Sequence, residues 1–213
     1  MAVLTMCAVA QEPTARTKAE AGKSAAEGFR LPEAELVMSP SFRSASLVQP
    51  VWSDLSADGH YFGGDKNNIG FTGGNWTFHG EHWKIAPGVG VLFGDNSFRT
   101  MPALSLRWEY EQRWFVTEGL LVQGLLHTTF TEDTGAREAV VPSIADGNHA
   151  SARWKRLTAG GTWEHIHFRE GREWKGGARA AYRILPGLSL TFFALWPGSE
   201  VRGGILFQPE ERK

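Results

Sequence analysis

Alternation of large apolar residues with small or polar ones is the feature that most constrains the fold of this chain. In the segment 82–94, every odd position from Trp83 to Phe93 is apolar, and the even positions from Lys84 to Gly90 are small or polar. Successive side chains of a β-strand point to opposite faces. The segment is therefore predicted to be a strand with one large apolar face and one small or polar face.

The same period of two recurs from about Leu36 to the end of the chain, and no window there carries a sustained helical stripe. Eight strands are predicted in this order: Asn68–His79, His82–Gly94, Met101–Glu111, Trp114–Thr128, Ser151–Arg169, Trp174–Leu185, Leu188–Trp196 and Val201–Gln208. The apolar phase shifts across Gly73 and Gly74, which predicts a β-bulge there.

Three stretches are not counted as strands. Ala45–Leu55 is left out because Pro50 confines a strand to a sheet edge. Ser53–Asn68 is polar and glycine-rich and is predicted to be a surface loop, and Thr129–Ala150 is predicted to be a long connection.

Composition sets further bounds on function. The net charge of −1 over 213 residues does not mark a nucleic-acid-binding protein, and none is expected as a partner. The single cysteine, Cys7, excludes an internal disulfide. No apolar run reaches about 18 residues, so a transmembrane helix is not expected.

The amino-terminal part predicts export. Residues 1–10 are similar to the rear half of a secretory signal, with small residues Ala8 and Ala10 before Gln11. Residues 11–45 contain few large apolar side chains and are predicted to be a flexible spacer. The folded domain is then predicted to be 46–213.

Two architectures fit the alternation: a soluble barrel with an apolar interior, and a membrane barrel whose apolar face meets lipid. Tryptophans near strand ends, small residues on the opposite faces and the export signal favour the membrane barrel. Charged residues in mid-strand would then face the lumen and pair with one another, as a lumen charge network: Lys84, Arg107, Glu109, Arg179, Arg183 and Arg202.

On these strands, tryptophans and charges, residues 67–208 resemble small bacterial outer-membrane β-barrel proteins. The resemblance implies an all-β, antiparallel up-and-down barrel of about eight strands in the outer membrane. It also implies contact with outer-membrane lipid, including lipopolysaccharide, and insertion by the barrel-assembly machinery. No cofactor is expected. Because side chains fill an eight-stranded barrel, a structural or envelope-interaction role is predicted, and a diffusion pore is not.

Two alternatives stay open. His149 and Ser151 share a strand face, and Glu164 could orient the histidine. This arrangement resembles outer-membrane lipid A deacylases and would make the chain a hydrolase with those three catalytic residues. The other alternative is a soluble periplasmic barrel that binds a small apolar ligand, as lipocalin-like folds do.

One further pair has metal-ligand spacing. His165 and His167 place two imidazoles on one strand face, which can chelate zinc or iron. Because no third ligand is evident, a lumenal or interfacial histidine pair is preferred to a metal site.

Overall fold

A computed structural model of the chain describes residues 31–64, 68–94, 97–132, 135–168 and 171–209. Thirteen strands follow in order: β1 (Glu33–Met38), β2 (Phe42–Pro50), β3 (Leu55–Gly64), β4 (Asn68–Trp76), β5 (Phe78–His79), β6 (Trp83–Gly94), β7 (Ser97–Glu111), β8 (Phe115–Glu132), β9 (Gly135–Trp154), β10 (Leu157–Phe168), β11 (Gly171–Leu185), β12 (Leu188–Trp196) and β13 (Glu200–Phe207). The described residues include no helix that is long and apolar enough to cross a membrane.

The strands close into one antiparallel barrel. Consecutive strands are paired, and the pairing of β1 with β13 completes the ring. The two-residue strand β5 continues β4 along β6 in the same register, so β4 and β5 share one position in the wall. The wall therefore has twelve positions. The all-β antiparallel barrel predicted from the sequence is confirmed.

The predicted count of about eight strands is wrong, because four wall positions, β1, β2, β3 and β9, were missing from it. Pro50 is the last residue of β2, where a proline does not interrupt the ladder. Strand β3 lies within the predicted loop Ser53–Asn68 and has no apolar inward face, since Ser56, Asp58 and His60 are its buried side chains. Most of β9 lies in the predicted connection Thr129–Ala150.

The first strands also correct the predicted spacer. Strand β1 and the beginning of β2 lie within residues 11–45, so residues 33–45 are barrel wall. Strand β1 was missed because its inward face carries two acids, Glu33 and Glu35. Val37 is the buried apolar side chain on that face, so the segment has the composition of a spacer. The predicted signal segment 1–10 lies outside the described residues.

Exposure follows the alternation predicted for β6. Val89 on the outward face is 67 % exposed, whereas Ala86 and Leu92 on the inward face are each 2 % exposed. The outward face of the neighbouring strand is likewise apolar, with Leu104 exposed. Strands β6 and β7 thus present large apolar side chains outward.

The barrel has two different rims. The terminal rim is the end at which β1 begins and β13 ends. At the opposite end, here called the hairpin rim, the pairing of β8 with β9 runs on to Glu132 and Gly135. The pairing of β7 with β8 stops earlier, at Ala103 and Gly124. The β8–β9 hairpin therefore continues past the point at which β7 stops pairing with β8.

Exposed tryptophans lie near both rims. Trp83, Trp114 and Trp154 are at the terminal rim, and Trp174 and Trp196 are near the hairpin rim. Amphipathic indole rings favour the two water interfaces of a membrane, and outer-membrane barrels carry aromatic girdles at those levels. The distribution suits a barrel that spans a bilayer.

The phase shift in β4 is not a bulge, because β4 pairs in an unbroken register with β3 and β6. Ile69 and Phe71 face inward and are buried, whereas Trp76 faces outward and is exposed. The apolar residues change sides because the interior beside β4 is apolar near the hairpin rim and polar further down, where Asn75 is buried. This difference within the interior organises the candidate site.

Candidate functional site in the barrel lumen

One arginine, Arg179, contacts both of two opposite walls of the lumen. Arg179 on β11 donates hydrogen bonds from Nη1 to Glu118 Oε1 at 3.0 Å and from Nη2 to Glu35 Oε1 at 3.3 Å. Strands β1 and β8, which carry the two glutamates, are six wall positions apart in either direction. Arg179 therefore joins opposite walls, and we call these three residues the cross-lumen bridge.

The bridge is shielded from solvent. The Arg179 side chain is 5 % exposed, and those of Glu35 and Glu118 are 22 % and 28 % exposed. The guanidinium also lies 5.6 Å from the ring centroid of Phe193, which projects inward from β12. Charges held in a low-dielectric interior interact more strongly than charges in water. The bridge is thus an ionic contact held largely away from water.

Two ion pairs lie nearer the terminal rim. Arg107 Nη1 is 3.7 Å from Glu33 Oε2 and joins β7 to β1, five wall positions away. Lys84 Nζ is 3.7 Å from Glu109 Oε2 on the adjacent strand. The Lys84 and Glu109 side chains are about a third exposed, so water screens this pair more than it screens the bridge.

A second ionic cluster lies near the hairpin rim. Arg202 donates from Nε to Glu200 Oε1 at 2.8 Å and from Nη1 to Glu164 Oε2 at 2.7 Å. Its guanidinium is stacked 3.5 Å from the ring centroid of Phe42. Lys175 Nζ donates to the other oxygen of Glu200 at 2.7 Å. We call this group the rim ionic cluster, and it joins β10, β11, β13 and β2.

The other side of the same end is apolar. Buried side chains from β4, β6, β7, β8 and β9 form one group, the apolar cluster: Ile69, Phe71, Leu92, Ala103, Val122, Leu126 and Val141. Leu126 and Val141 come from the part of the hairpin that lies beyond the β7–β8 pairing. The extended hairpin therefore packs its inward side chains against β4 and β6 rather than standing clear of the rim.

Polar contacts hold the hairpin at this level. His127 Nε2 is 3.3 Å from Glu138 Oε2, and Arg99 Nη1 donates to the same carboxylate oxygen at 3.0 Å. Arg99 also lies 3.2 Å from the His127 ring nitrogen. These contacts join β7 to both strands of the hairpin and fix its position over the apolar cluster.

A buried acid lies beside the apolar cluster. Asp58 is 2 % exposed and accepts hydrogen bonds from Ser56 Oγ and from the Asn75 amide, while Ser105 Oγ donates to Asn75 Oδ1 at 2.8 Å. A Cβ at Gly88 would collide with the Asn75 amide, so glycine is required there. These hydrogen-bonded side chains fill the barrel interior beside strands β3, β4, β6 and β7.

The predicted catalytic residues share the inward face but do not form a triad. His149 Nδ1 is hydrogen-bonded to Thr162 Oγ1 at 2.7 Å, and Glu164 is paired with Arg202. The buried hydroxyl of Ser151 has no hydrogen-bond partner in the described part of the chain. A nucleophile requires a base within hydrogen-bond reach, and this arrangement does not provide one.

The predicted metal pair lies on the outside of the barrel. His165 Nδ1 is 3.1 Å from Asp146 Oδ1, and the His165 and His167 rings are stacked at 6.2 Å. Within the described ranges, no group of three or more ligand-type residues could hold a metal ion. Asp146 therefore acts as a local partner for His165.

The structure divides the predicted lumen charge network into separate contacts. Arg179 and Arg202 are central to the bridge and to the rim ionic cluster, while Arg183 is exposed near the terminal rim. Glu109 contacts Lys84 rather than an arginine. The carboxylates that contact the arginines were missing from the prediction: Glu33, Glu35, Glu118, Glu164 and Glu200. For Glu33 and Glu35 the inward parity was a usable signal only once β1 was known to be a strand, whereas Glu118 and Glu164 lie on strands that the sequence predicted.

No family model matches the chain, and no curated protein sequence matches it. Solved structures are similar to it in fold. The NanC porin is similar with a TM-score of 0.55 and 9 % identity, over 84 % of this chain and 100 % of that chain. The KdgM porin is similar with a TM-score of 0.52 and 9 % identity, over 83 % and 98 % of the two chains.

At such low identity the similarity shows the fold alone. The fold of this chain is that of a porin-like outer-membrane β-barrel, and the resemblance to small bacterial outer-membrane β-barrel proteins is confirmed. A barrel of this fold indicates an outer-membrane location, as the sequence predicted.

Proposed function

We propose that this chain is a narrow outer-membrane channel for small hydrophilic ions. The porin-like fold is the premise, and the strand number supports the proposal. Side chains fill an eight-stranded barrel, and barrels of 16 to 18 strands leave a wide aqueous channel. Twelve wall positions lie between these sizes. The argument against a pore, which rested on eight strands, does not hold for this barrel.

The observation that carries the proposal is the cross-lumen bridge. Arg179 contacts Glu35 and Glu118 at 3.3 Å and 3.0 Å from a strand midway between theirs. A lumen spanned by one side chain excludes solutes of the size of sugars while hydrated ions pass beside polar groups. Arg179 thus limits the width of the channel and also lines it.

Single-channel recording in planar bilayers tests this proposal. The purified full chain should conduct in KCl, and Arg179→Ala should raise the conductance at least two-fold because it removes the side chain that joins the walls. Arg113→Ala is the matched control, since Arg113 lies exposed in the turn between β7 and β8. We expect the control to conduct as the unmodified chain does. Equal conductance of Arg179→Ala and the unmodified chain would contradict the proposal.

A structural role in the envelope is the second candidate, and the apolar cluster favours it. Phe71, Leu92 and Val122 are each 2 % exposed, so part of the interior is packed like a protein core. If this candidate is correct, neither the unmodified chain nor Arg179→Ala carries current, although both migrate as folded barrels on a heat-modifiability gel. This outcome would replace the channel proposal.

For the outward face we propose contact with outer-membrane lipid, including lipopolysaccharide, after insertion by the barrel-assembly machinery. Exposed apolar residues such as Val89, Leu104 and Val201 and the tryptophans at both rims support it. Release of the protein from membranes by carbonate would contradict this contact.

A further inference from the structure

We propose that the lumen passes cations in preference to anions, and that the cross-lumen bridge is the source of this selectivity. The inference rests on the proposed channel function and names the class of solute that the channel takes. It follows from the charges that meet at the bridge and from the polar atoms beside it.

The bridge is not balanced in charge. Two carboxylates, Glu35 and Glu118, contact the single guanidinium of Arg179. The group therefore carries one excess negative charge where opposite walls are joined. An ion that passes this level comes within a few ångströms of that charge, well inside the Debye length of about 10 Å in 0.1 M salt.

The two ion pairs nearer the terminal rim do not offset this excess. Arg107 with Glu33, and Lys84 with Glu109, are one-to-one pairs. In the rim ionic cluster two bases, Arg202 and Lys175, meet two partly buried acids, and the exposed carboxylate of Glu173 adds a contact to Lys175. The imbalance at the rim is therefore also acidic.

Polar atoms beside the bridge suit a cation as well. Ser151, Gly160 and Arg179 are register partners along one inward row of β9, β10 and β11. Ser151 is 3 % exposed, and its hydroxyl has no hydrogen-bond partner among the residues that the structure describes. Gly160 lets β9 and β10 approach closely in this row, because a Cβ there would collide with the β9 backbone. Hydroxyl and carboxylate oxygens are the ligands that hard cations prefer.

The measurement is the reversal potential of the purified full chain in a planar bilayer under a KCl gradient. The unmodified chain should favour K⁺ over Cl⁻ at least three-fold. Glu118→Gln leaves one carboxylate for one guanidinium with little change of shape, so the permeability ratio should fall towards one. Glu35→Gln should act in the same direction. Glu81→Gln is the control, because Glu81 lies in an exposed turn with an 89 % exposed side chain.

The outcomes separate the two proposals. Absence of current in the unmodified chain would overturn the channel function itself. Current with a ratio of one or less would overturn the cation preference alone, and a ratio unchanged in both glutamine variants would overturn its assignment to the bridge. The preference of the unmodified chain should also weaken as KCl rises from 0.1 M to 1 M, because the Debye length falls to about 3 Å. This check does not depend on how a variant folds.

Discussion

The apolar cluster and the cross-lumen bridge occupy the same enclosed space, yet they are stabilised in different ways. Phe71 and its neighbours contact one another through non-directional burial, so many side chains share the stabilisation. Arg179 is instead stabilised by two specific carboxylates, Glu35 and Glu118, on other strands. Removal of an apolar residue leaves a cavity, whereas removal of one ionic partner leaves a charge without its counterpart.

This difference separates the tasks of the two regions. The apolar cluster excludes water and fixes the β8–β9 hairpin at its rim, which favours a rigid wall. The bridge instead consists of charged groups, which the channel proposal places beside the path of the ions. Stability should therefore depend most on the cluster, and conduction should depend most on the bridge.

The largest effect on stability is expected for Phe71→Ala. Phe71 is 2 % exposed in the apolar cluster, and truncation of a buried phenylalanine costs about 3–5 kcal/mol of unfolding free energy. Phe78→Ala is the matched control, because Phe78 faces outward at the same wall position and is 53 % exposed. Urea unfolding in lipid vesicles measures both variants. Equal losses would show that the cluster does not pack as a core.

An intermediate effect is expected from a double-mutant cycle on the bridge. Arg179→Met and Glu118→Gln remove the two ends of one contact, and contacting residues in an ionic network couple by about 0.5–3 kcal/mol. The coupling should be favourable, because each single change leaves the other group with one partner fewer. Additive unfolding free energies would indicate that water separates the two groups in the lumen.

The smallest effect is expected for the pair near the terminal rim. Lys84→Met and Glu109→Gln should couple by only about 0.2–1 kcal/mol, because the two side chains are 39 % and 32 % exposed and lie 3.7 Å apart. High salt should reduce this coupling further. A coupling as large as that of the bridge would mean that the whole lumen, and not only its middle, excludes water.

Local pattern predicted the class of the barrel and the facing of its most regular strands. The facing of strand β6 can be predicted from the alternation in its own residues, without knowing which strands lie beside it. Strand β3 shows the opposite, because its buried Asp58 is stabilised by Asn75, which lies on the next strand. A buried polar face of this kind cannot be distinguished from a loop until its partners are known.

The cross-lumen bridge could not be predicted from the sequence for a related reason. The sequence predicted that Arg179 faces the lumen. A strand pattern indicates which face of the strand a residue is on, but it does not indicate which residue it contacts. Glu118 lies on a strand that was predicted, whereas Glu35 lies in the predicted spacer. Their meeting at Arg179 depends on the number of strands and on closure of the ring, and neither can be read from a local window.

Closure of the ring has a consequence for how the barrel folds. Every pairing between wall positions joins neighbours in sequence except that of β1 with β13, which brings Ala34 opposite Phe207. Pairing β1 with β13 closes a long loop, and the entropy lost must be offset before this pairing stabilises the barrel. Contacts between residues far apart in sequence also slow folding. Until they meet, β1 and β13 each present an unpaired strand edge that can pair with other chains. The six-residue length of β1 keeps one of those edges short.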